Sequence, residues 1–297
     1  GTGQNKISGC WFDGKLTGIT RSGGILGGVY GNKGNIEATI AHCLNTGKMN
    51  IELGQAGVGG ICGTAETWSI LYVDDCLNAG TYQTFGTGKS ESKHIGTLVG
   101  TVTKTDGVGS KVVVTDSYGV REFFDRLVGW KHGDEGVDWN SMMYVESDEL
   151  VGYDGYRWTS LDFQNHWAVR SNACPVPAAF ASQKLSTAGV VRMVDYSWYD
   201  PHKTTNTVRT FQQLYGMARL WEVTNLFKGE TILLGADITI NKGNASDWAE
   251  KAPGYVWEPA KFNGTFDGQG HTISGLYINS TKQYTGMFST VFIRMVR

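Results

Sequence analysis

Residues 40–47 read IAHCLNTG, and close variants of this stretch recur along the chain. Residues 7–14 read ISGCWFDG and residues 73–80 read VDDCLNAG, so the three cysteines are 33 residues apart. A fourth copy, VTDSYG at residues 114–119, has serine in place of the cysteine after a spacing of 41 residues. A period of this length indicates a repeat architecture.

A second motif is interleaved with the first. It reads GGILG at residues 23–27, GGICG at 59–63 and GTLVG at 96–100, with spacings of 36 and 37 residues between the central positions. Short β-branched runs lie between the motifs, punctuated by Gly and Asn, which favours strands joined by tight turns. One unit cannot bury its apolar face alone, whereas stacked units form a continuous core. We therefore predict an all-β fold, a right-handed parallel β-helix (solenoid).

Stacked strands lie about 4.8 Å apart, so equivalent side chains should form ladders. The predicted ladders contain Cys10, Cys43, Cys76 and Ser117 in one column, and Asn45 and Asn78 in another. Small buried thiols are the favoured interpretation of the first, because a free cysteine packs as a small hydrophobe. A disulfide between Cys43 and Cys76 also fits a separation of one rung. There are five cysteines and no CxxC pair, so no metal site is predicted.

Composition narrows the classes of function. Only 18% of the residues are charged and the net charge is -2, so nucleic acid is not expected as a partner. No apolar run is long enough for a membrane span. No phosphate loop, dinucleotide fingerprint or HExxH motif occurs, and no cofactor is expected. The chain begins with Gly1 rather than Met, and we interpret it as a piece of a longer protein.

The sequence changes character after about residue 185. Residues 210–213 read TFQQ, which is a capping-box start, and apolar residues then follow at helical spacing. We predict one amphipathic capping helix at about 210–224. Strand-like runs follow it at residues 231–234 and 237–240.

This second part carries a family resemblance. FNGTFDGQGHTISGLYINS at residues 262–280, followed by TGMFS, resembles the opening of GLUG-motif β-helix proteins, which are large, mostly bacterial surface or secreted proteins. The predicted helix with ETILLGADITIN (230–241) resembles their N-terminal cap and first rungs. The GGILG and HCLNTG units resemble their later rungs, and residues 156–163 with Trp167 resemble their closing piece. The resemblance implies an extracellular or cell-surface location, and it specifies an architecture rather than an activity.

The resemblance also implies an unusual order of domains. Residues 1–181 would contain β-helix rungs and a closing segment, whereas residues 186–297 would contain a cap helix and the first rungs of a β-helix. Either the end of one β-helix is joined to the start of the next, or the open rung near 286–289 stacks on the open rung near Trp11, within one chain or between chains. Unpaired strand edges favour such pairing.

One column of polar residues is a candidate catalytic site. The position before the cysteine ladder is occupied by His42, Asp75 and Asp116, which stacking would bring together. Two carboxyl groups a few Å apart can divide the acid and base roles of polysaccharide cleavage. The favoured interpretation is a solvated outer column with ordinary pKa values, because strand faces are usually polar on the outside.

Aromatic residues outside the plain repeats are candidate ligand-binding residues, since exposed rings commonly contact sugars or partner proteins. The candidates are Trp139, Trp158, Trp198, Tyr199, Trp248 and Trp257. The competing interpretation is that these rings plug the β-helix ends and the domain junction. DGQGH at residues 267–271 is interpreted as a turn, because it lacks the alternating acidic ligands of a calcium loop.

Three functions are compatible with these observations. The first is a non-enzymatic surface or secreted β-helix module for adhesion to glycans or host proteins, favoured because no catalytic motif is recognisable. The second is a glycoside hydrolase or polysaccharide lyase that uses the His42, Asp75 and Asp116 column. The third is a structural filament subunit that self-associates end to end through open rungs.

Overall fold

The structure is a computed structural model of the chain. It describes residues 5–18, 20–31, 36–52, 57–85, 94–105, 108–123, 126–131, 137–220, 227–281 and 283–291. Contacts divide the chain into two compact units, Gly1–Val191 and Arg192–Arg297. Most of the regular structure is β-strand and most strand pairs are parallel, so the predicted all-β class is confirmed.

Successive copies of the repeat pair in parallel and in register in the first unit. Ile7 is paired with Ile40, Ile40 with Val73, and Val73 with Val114. Ile40, Val73 and Val114 are completely buried, so β-branched side chains at one repeat position form the centre of the core. The strands of this curled sheet are Asn5–Ser8, Ile36–Ala41, Ser69–Asp74, Lys111–Val120 and Val137–Val145.

Each copy contributes further parallel strands after the cysteine ladder. Trp11–Phe12, Leu44–Asn45 and Leu77–Asn78 continue the curled sheet. Three more sheets consist of Lys15–Gly18, Lys48–Glu52 and Thr81–Phe85; of Ser22–Gly23, Val58–Gly59 and Ile95–Gly96; and of Leu26–Val29, Cys62–Ala65, Val99–Val102 and Val128–Lys131. The second motif therefore also stacks, with Ile61 N donating to Leu98 O at 3.0 Å.

Short elements complete the first unit. An antiparallel pair, Lys104–Thr105 with Val108–Gly109, lies within the longer spacing before the fourth copy. A second antiparallel pair, Trp167–Arg170 with Ala173–Pro177, follows the last copy. The described helical elements include Tyr153–Trp158 and the 3₁₀ turns Arg121–Phe123, Asp148–Leu150 and Ala178–Phe180.

The asparagine ladder forms inside the stack. Asn45 Nδ2 donates to Asn78 Oδ1 at 2.8 Å, and both side chains are completely buried. Asn78 Nδ2 also donates to Thr97 O at 2.8 Å, so the buried amide has the partners that burial requires. Gly60 is necessary beside it, because a Cβ there would lie 2.1 Å from Asn78 Nδ2.

The second unit contains small parallel sheets. They consist of Thr205–Val208, Thr231–Leu234 and Thr265–Asp267; of Ile238–Thr239 and Ile273–Ser274; and of Ala260–Phe262 and Phe288–Val291. A 3₁₀ turn, Ala245–Ala249, lies between two of these strands.

The predicted helix is present as Phe211–Leu220, and residues 221–224 of the prediction lie outside the described residues. Gln213 N donates to Thr210 Oγ1 at 3.2 Å, as a capping box requires. The buried face includes Leu214 and Met217. Within the described ranges, no helix is long and apolar enough to cross a membrane.

Candidate functional site

The polar column lies at a bend that requires an unusual backbone. Gly9, His42, Asp75 and Asp116 occupy this bend in successive copies, with φ of 64°, 54°, 49° and 44°. Left-handed backbone favours glycine, and Asp and His are among the residues that tolerate it best. Backbone geometry therefore explains the residue types in this column before any function is considered.

A segment that follows the repeats lies across the column; we call residues 159–180 the strap. Its Ser160 Oγ donates to Asp116 Oδ1 in the fourth copy. Its Asp162 N donates to Asp75 Oδ1 in the third copy at 2.9 Å. The strap thus contacts successive copies in reverse order.

The strap continues across the third and second copies. Trp167 Nε1 donates to Asp75 Oδ2 at 2.9 Å, and the indole is completely buried. The ring of His166 stacks on His42 with 3.6 Å between the ring centroids. A hydrogen bond to Asp75 and a stacked pair of imidazole rings therefore hold neighbouring residues of the strap, Trp167 and His166, against the column.

The strap reaches the first copy at Trp11. The ring of Phe180 meets Trp11 edge-on with 5.6 Å between centroids. The guanidinium of Arg170 lies over the same indole at 5.7 Å from its centroid, a cation–π contact. Consequently the strap spans all four copies of the column.

Burial controls the electrostatics beneath the strap. Asp75 is only 5% exposed, and burial raises the pKa of its carboxyl group to about 7. His42 Nδ1 lies 2.8 Å from Asp75 Oδ2, and burial lowers the pKa of the imidazole. Burial therefore disfavours charge on both partners of this contact.

The interpretation of the column as solvated with ordinary pKa values is wrong for His42 and Asp75, because the strap covers them and burial shifts the pKa of each. The structure brings His42 and Asp75 into direct contact and places Asp116 against Ser160. Both carboxyl oxygens of Asp75 accept hydrogen bonds from the strap. In this arrangement the column anchors the strap.

The sequence did not reveal the strap residues that complete this cluster. Asp162 accepts hydrogen bonds from the backbone N–H groups of Gln164 and Asn165, which forms a tight turn between Asp162 and His166. The run DFQNHW at residues 162–167 signals such a turn, because Asp side chains commonly bond backbone groups two residues on. Nothing in that run identifies the column as its partner.

Three of the six candidate aromatic residues pack internally. Trp257 is 1% exposed, and its Nε1 donates to Met287 O at 3.0 Å, so it is not available to a ligand. Trp198 and Tyr199 pack against each other and against Phe227, with centroid separations of 5.5 to 6.3 Å. These three candidates therefore form core contacts of the second unit.

Two further candidates belong to the first unit. Trp158 ends the helix Tyr153–Trp158 and is half-buried. Trp139 lies in the strand Val137–Val145, where it pairs with Val114, and its side chain lies outside the described residues. Neither observation defines a ligand site.

Trp248 differs from the other candidates because it lines an open groove in the second unit. The groove has a volume of about 670 Å³, within the usual size range of small-molecule sites. Trp248 is half-buried and meets Tyr277 edge-on at 5.9 Å between centroids. The groove is lined by Phe211, Thr239, Ile240, Asn241, Lys242, Gly243, Asn244, Asp247, Trp248, Lys251, Ala252, Pro253, Gly254 and Tyr255.

A buried amide holds the wall of this groove in place. Asn241 is 6% exposed; its Nδ2 donates to Tyr255 O at 2.7 Å, and its Oδ1 accepts from Tyr255 N at 3.0 Å. The ring of Tyr255 packs on Phe211 with 5.4 Å between centroids. The groove therefore presents aromatic rings on a hydrogen-bonded backbone, with Lys242 and Asp247 exposed beside them.

Among the described residues, no group of three or more His, Cys, Asp or Glu side chains is arranged to hold a metal ion. Comparison with known proteins gave no matching family model, no matching curated protein and no matching solved structure.

Proposed function

We propose that this chain is a non-enzymatic carbohydrate-binding module of a secreted or cell-surface protein, and that the groove beside Trp248 holds the glycan. The observation that carries the proposal is the composition of that groove. Rings of Trp248, Tyr255 and Phe211 line it together with the side chains of Asn244 and Asp247. Sugar rings bind through apolar faces and edge hydroxyls, which aromatic surfaces and polar side chains match.

The proposal includes the finer architecture. We infer that the first unit is a right-handed parallel β-helix of the GLUG-motif type. One observation and one general rule support this. Like positions of successive copies pair in parallel, and connections between parallel strands of one sheet are in general almost always right-handed. Such modules belong to surface or secreted proteins in the family that the sequence resembles.

A glycan array with the purified full chain tests the proposal. We expect a restricted set of glycans to bind, and we expect Trp248→Ala to weaken binding at least about tenfold, which corresponds to about 1.4 kcal/mol. The matched control is Tyr284→Ala. Tyr284 is an aromatic residue of the same unit, 62% exposed, and it does not line the groove.

Circular dichroism of each variant verifies that the fold is retained. If Trp248→Ala binds as tightly as the unchanged chain, the groove is not the glycan site. If the folded chain binds no glycan on an array that covers host and plant structures, carbohydrate binding itself is excluded as the function.

Polysaccharide cleavage has weaker support. The pKa of Asp75 lies near 7, which suits a general acid. However, Asp75 is 5% exposed and both of its carboxyl oxygens are occupied by the strap, so a polymer has no route to it in this arrangement. Equal activity of Asp75→Ala and the unchanged chain on pectins and mucins would remove the column as a catalytic site.

A further inference from the structure

The cysteine ladder brings three thiols together in consecutive copies of the first unit. Residues on either side of the ladder are paired, Ser8 with Ala41 and Trp11 with Leu44. Cys10 N lies 3.5 Å from Cys43 Sγ, so the second thiol points at the residue above it. Paired strands are about 4.8 Å apart, and disulfides form across Cα separations of about 4.4 to 6.8 Å.

The ladder has one exposed end. Cys10 is exposed, whereas Cys43 and Cys76 are completely buried. All three are free thiols, so the Cys43–Cys76 disulfide that their spacing allows is not formed in this structure. A reagent from solution can therefore reach Cys10 first, and Cys43 is the thiol directly behind it. Burial raises the pKa of Cys10, so its exposure rather than its acidity makes it the first thiol to react.

The two buried thiols, Cys43 and Cys76, differ in reactivity. The hydrogen bond from the Cys76 thiol, which outweighs burial, lowers the pKa of Cys43 to about 7. Burial raises the pKa of Cys76 well above its ordinary value. Because the thiolate is the nucleophile in disulfide exchange, Cys43 is the more reactive of the two buried thiols.

We propose that Cys10 and Cys43 form a redox-modification site, at which a small external disulfide oxidises the two thiols to a Cys10–Cys43 disulfide. The Cys10 thiolate attacks one sulfur of the external disulfide, whose S–S bond breaks and releases one thiol. The Cys43 thiolate then attacks the sulfur of Cys10 and releases the second thiol. The protein loses two electrons and two protons, and the external disulfide gains them.

The fourth copy shows which substitution is suitable for testing the Cys10–Cys43 disulfide. Ser117 occupies the ladder there; its Oγ accepts from Cys76 N at 3.0 Å and donates to Thr115 O at 2.8 Å. Serine therefore fits a ladder position with its hydrogen bonds satisfied. Cys43→Ser and Cys76→Ser are accordingly expected to fold.

The experiment treats the reduced full chain with oxidised glutathione and follows it by intact mass and peptide mapping. We expect a product lighter by two hydrogen atoms, in which the peptides of Cys10 and Cys43 are linked. Cys43→Ser should lose the link completely and stop at a glutathione adduct on Cys10. Cys76→Ser should still form the link.

Other products overturn the proposal. These are a stable glutathione adduct on Cys10 in the unchanged chain, a link between Cys43 and Cys76, a link from Cys10 to Cys174, or no reaction. The mapping of the unchanged chain decides between these outcomes even if a serine variant fails to fold.

Discussion

The two units use polar and aromatic residues in opposite ways. In the first unit, the strap buries the polar column, and Asp75 and Trp167 complete each other's hydrogen bonds away from water. In the second unit, Trp248 and Asp247 line an open groove. The same residue types therefore stabilise the fold in one unit and are available to a ligand in the other. Exposure, rather than residue type, distinguishes the buried anchor of the strap from the proposed glycan site.

The largest expected effect of a substitution is at the strap anchor. Trp167→Ala removes a completely buried indole and the hydrogen bond from its Nε1 to Asp75. We expect the free energy of unfolding to fall by about 3–5 kcal/mol. Urea denaturation followed by circular dichroism measures this.

The matched control is Trp248→Ala in the groove. Its ring is half-buried, so we expect a loss of about 1 kcal/mol or less. Equal losses in the two variants would remove the distinction between a buried anchor and an open groove.

A pH-dependent effect of similar size is expected at Asp75. Burial raises its pKa from 3.8 to about 7, so the folded chain holds this proton more tightly than the unfolded chain does. The associated stability is present below pH 3.8 and is lost as the pH rises to about 7. The amide that replaces the carboxyl group in Asp75→Asn cannot ionise. The unchanged chain should therefore lose about 4 kcal/mol relative to this variant between about pH 4 and pH 8.

The control for this pH trend is an exposed carboxylate of the second unit. The hydrogen bond from Thr272 N, 2.8 Å long, lowers the pKa of Asp237, so that carboxylate stabilises the fold as the pH rises. Because this pKa is lowered from 3.8, its contribution changes mainly below about pH 4, so Asp237→Asn should differ from the unchanged chain by a nearly constant amount between about pH 4 and pH 8. A set of unfolding curves from about pH 4 to pH 8 compares the two variants. A flat difference for Asp75→Asn would show that Asp75 ionises freely in the folded chain.

The smallest expected effect concerns the helix cap of the second unit. Thr210→Ala removes the acceptor for Gln213 N, and we expect a loss of about 1 kcal/mol. Thr210→Ser keeps the hydroxyl group and should remain close to the unchanged chain. Thermal unfolding of the three proteins measures this difference, and identical midpoints would mean that the cap contributes no stability.

Local patterns in the sequence determined much of the fold. The 33-residue period determined which residues stack, and the pairing of Ile40 with Val73 and of Asn45 with Asn78 follows from it. The helix Phe211–Leu220 followed from its capping box and apolar spacing. These features were predictable because like positions repeat and because a cap acts within a few residues of the chain.

Only the tertiary structure decided which polar residues are buried. The strap contacts the column across long sequence separations, such as the 87 residues between Asp162 and Asp75, and no local pattern encodes that contact. The groove likewise depends on the hydrogen bonds that join Asn241 to Tyr255. A repeat specifies its own neighbours, whereas burial by a non-repeating segment depends on how the whole chain folds back.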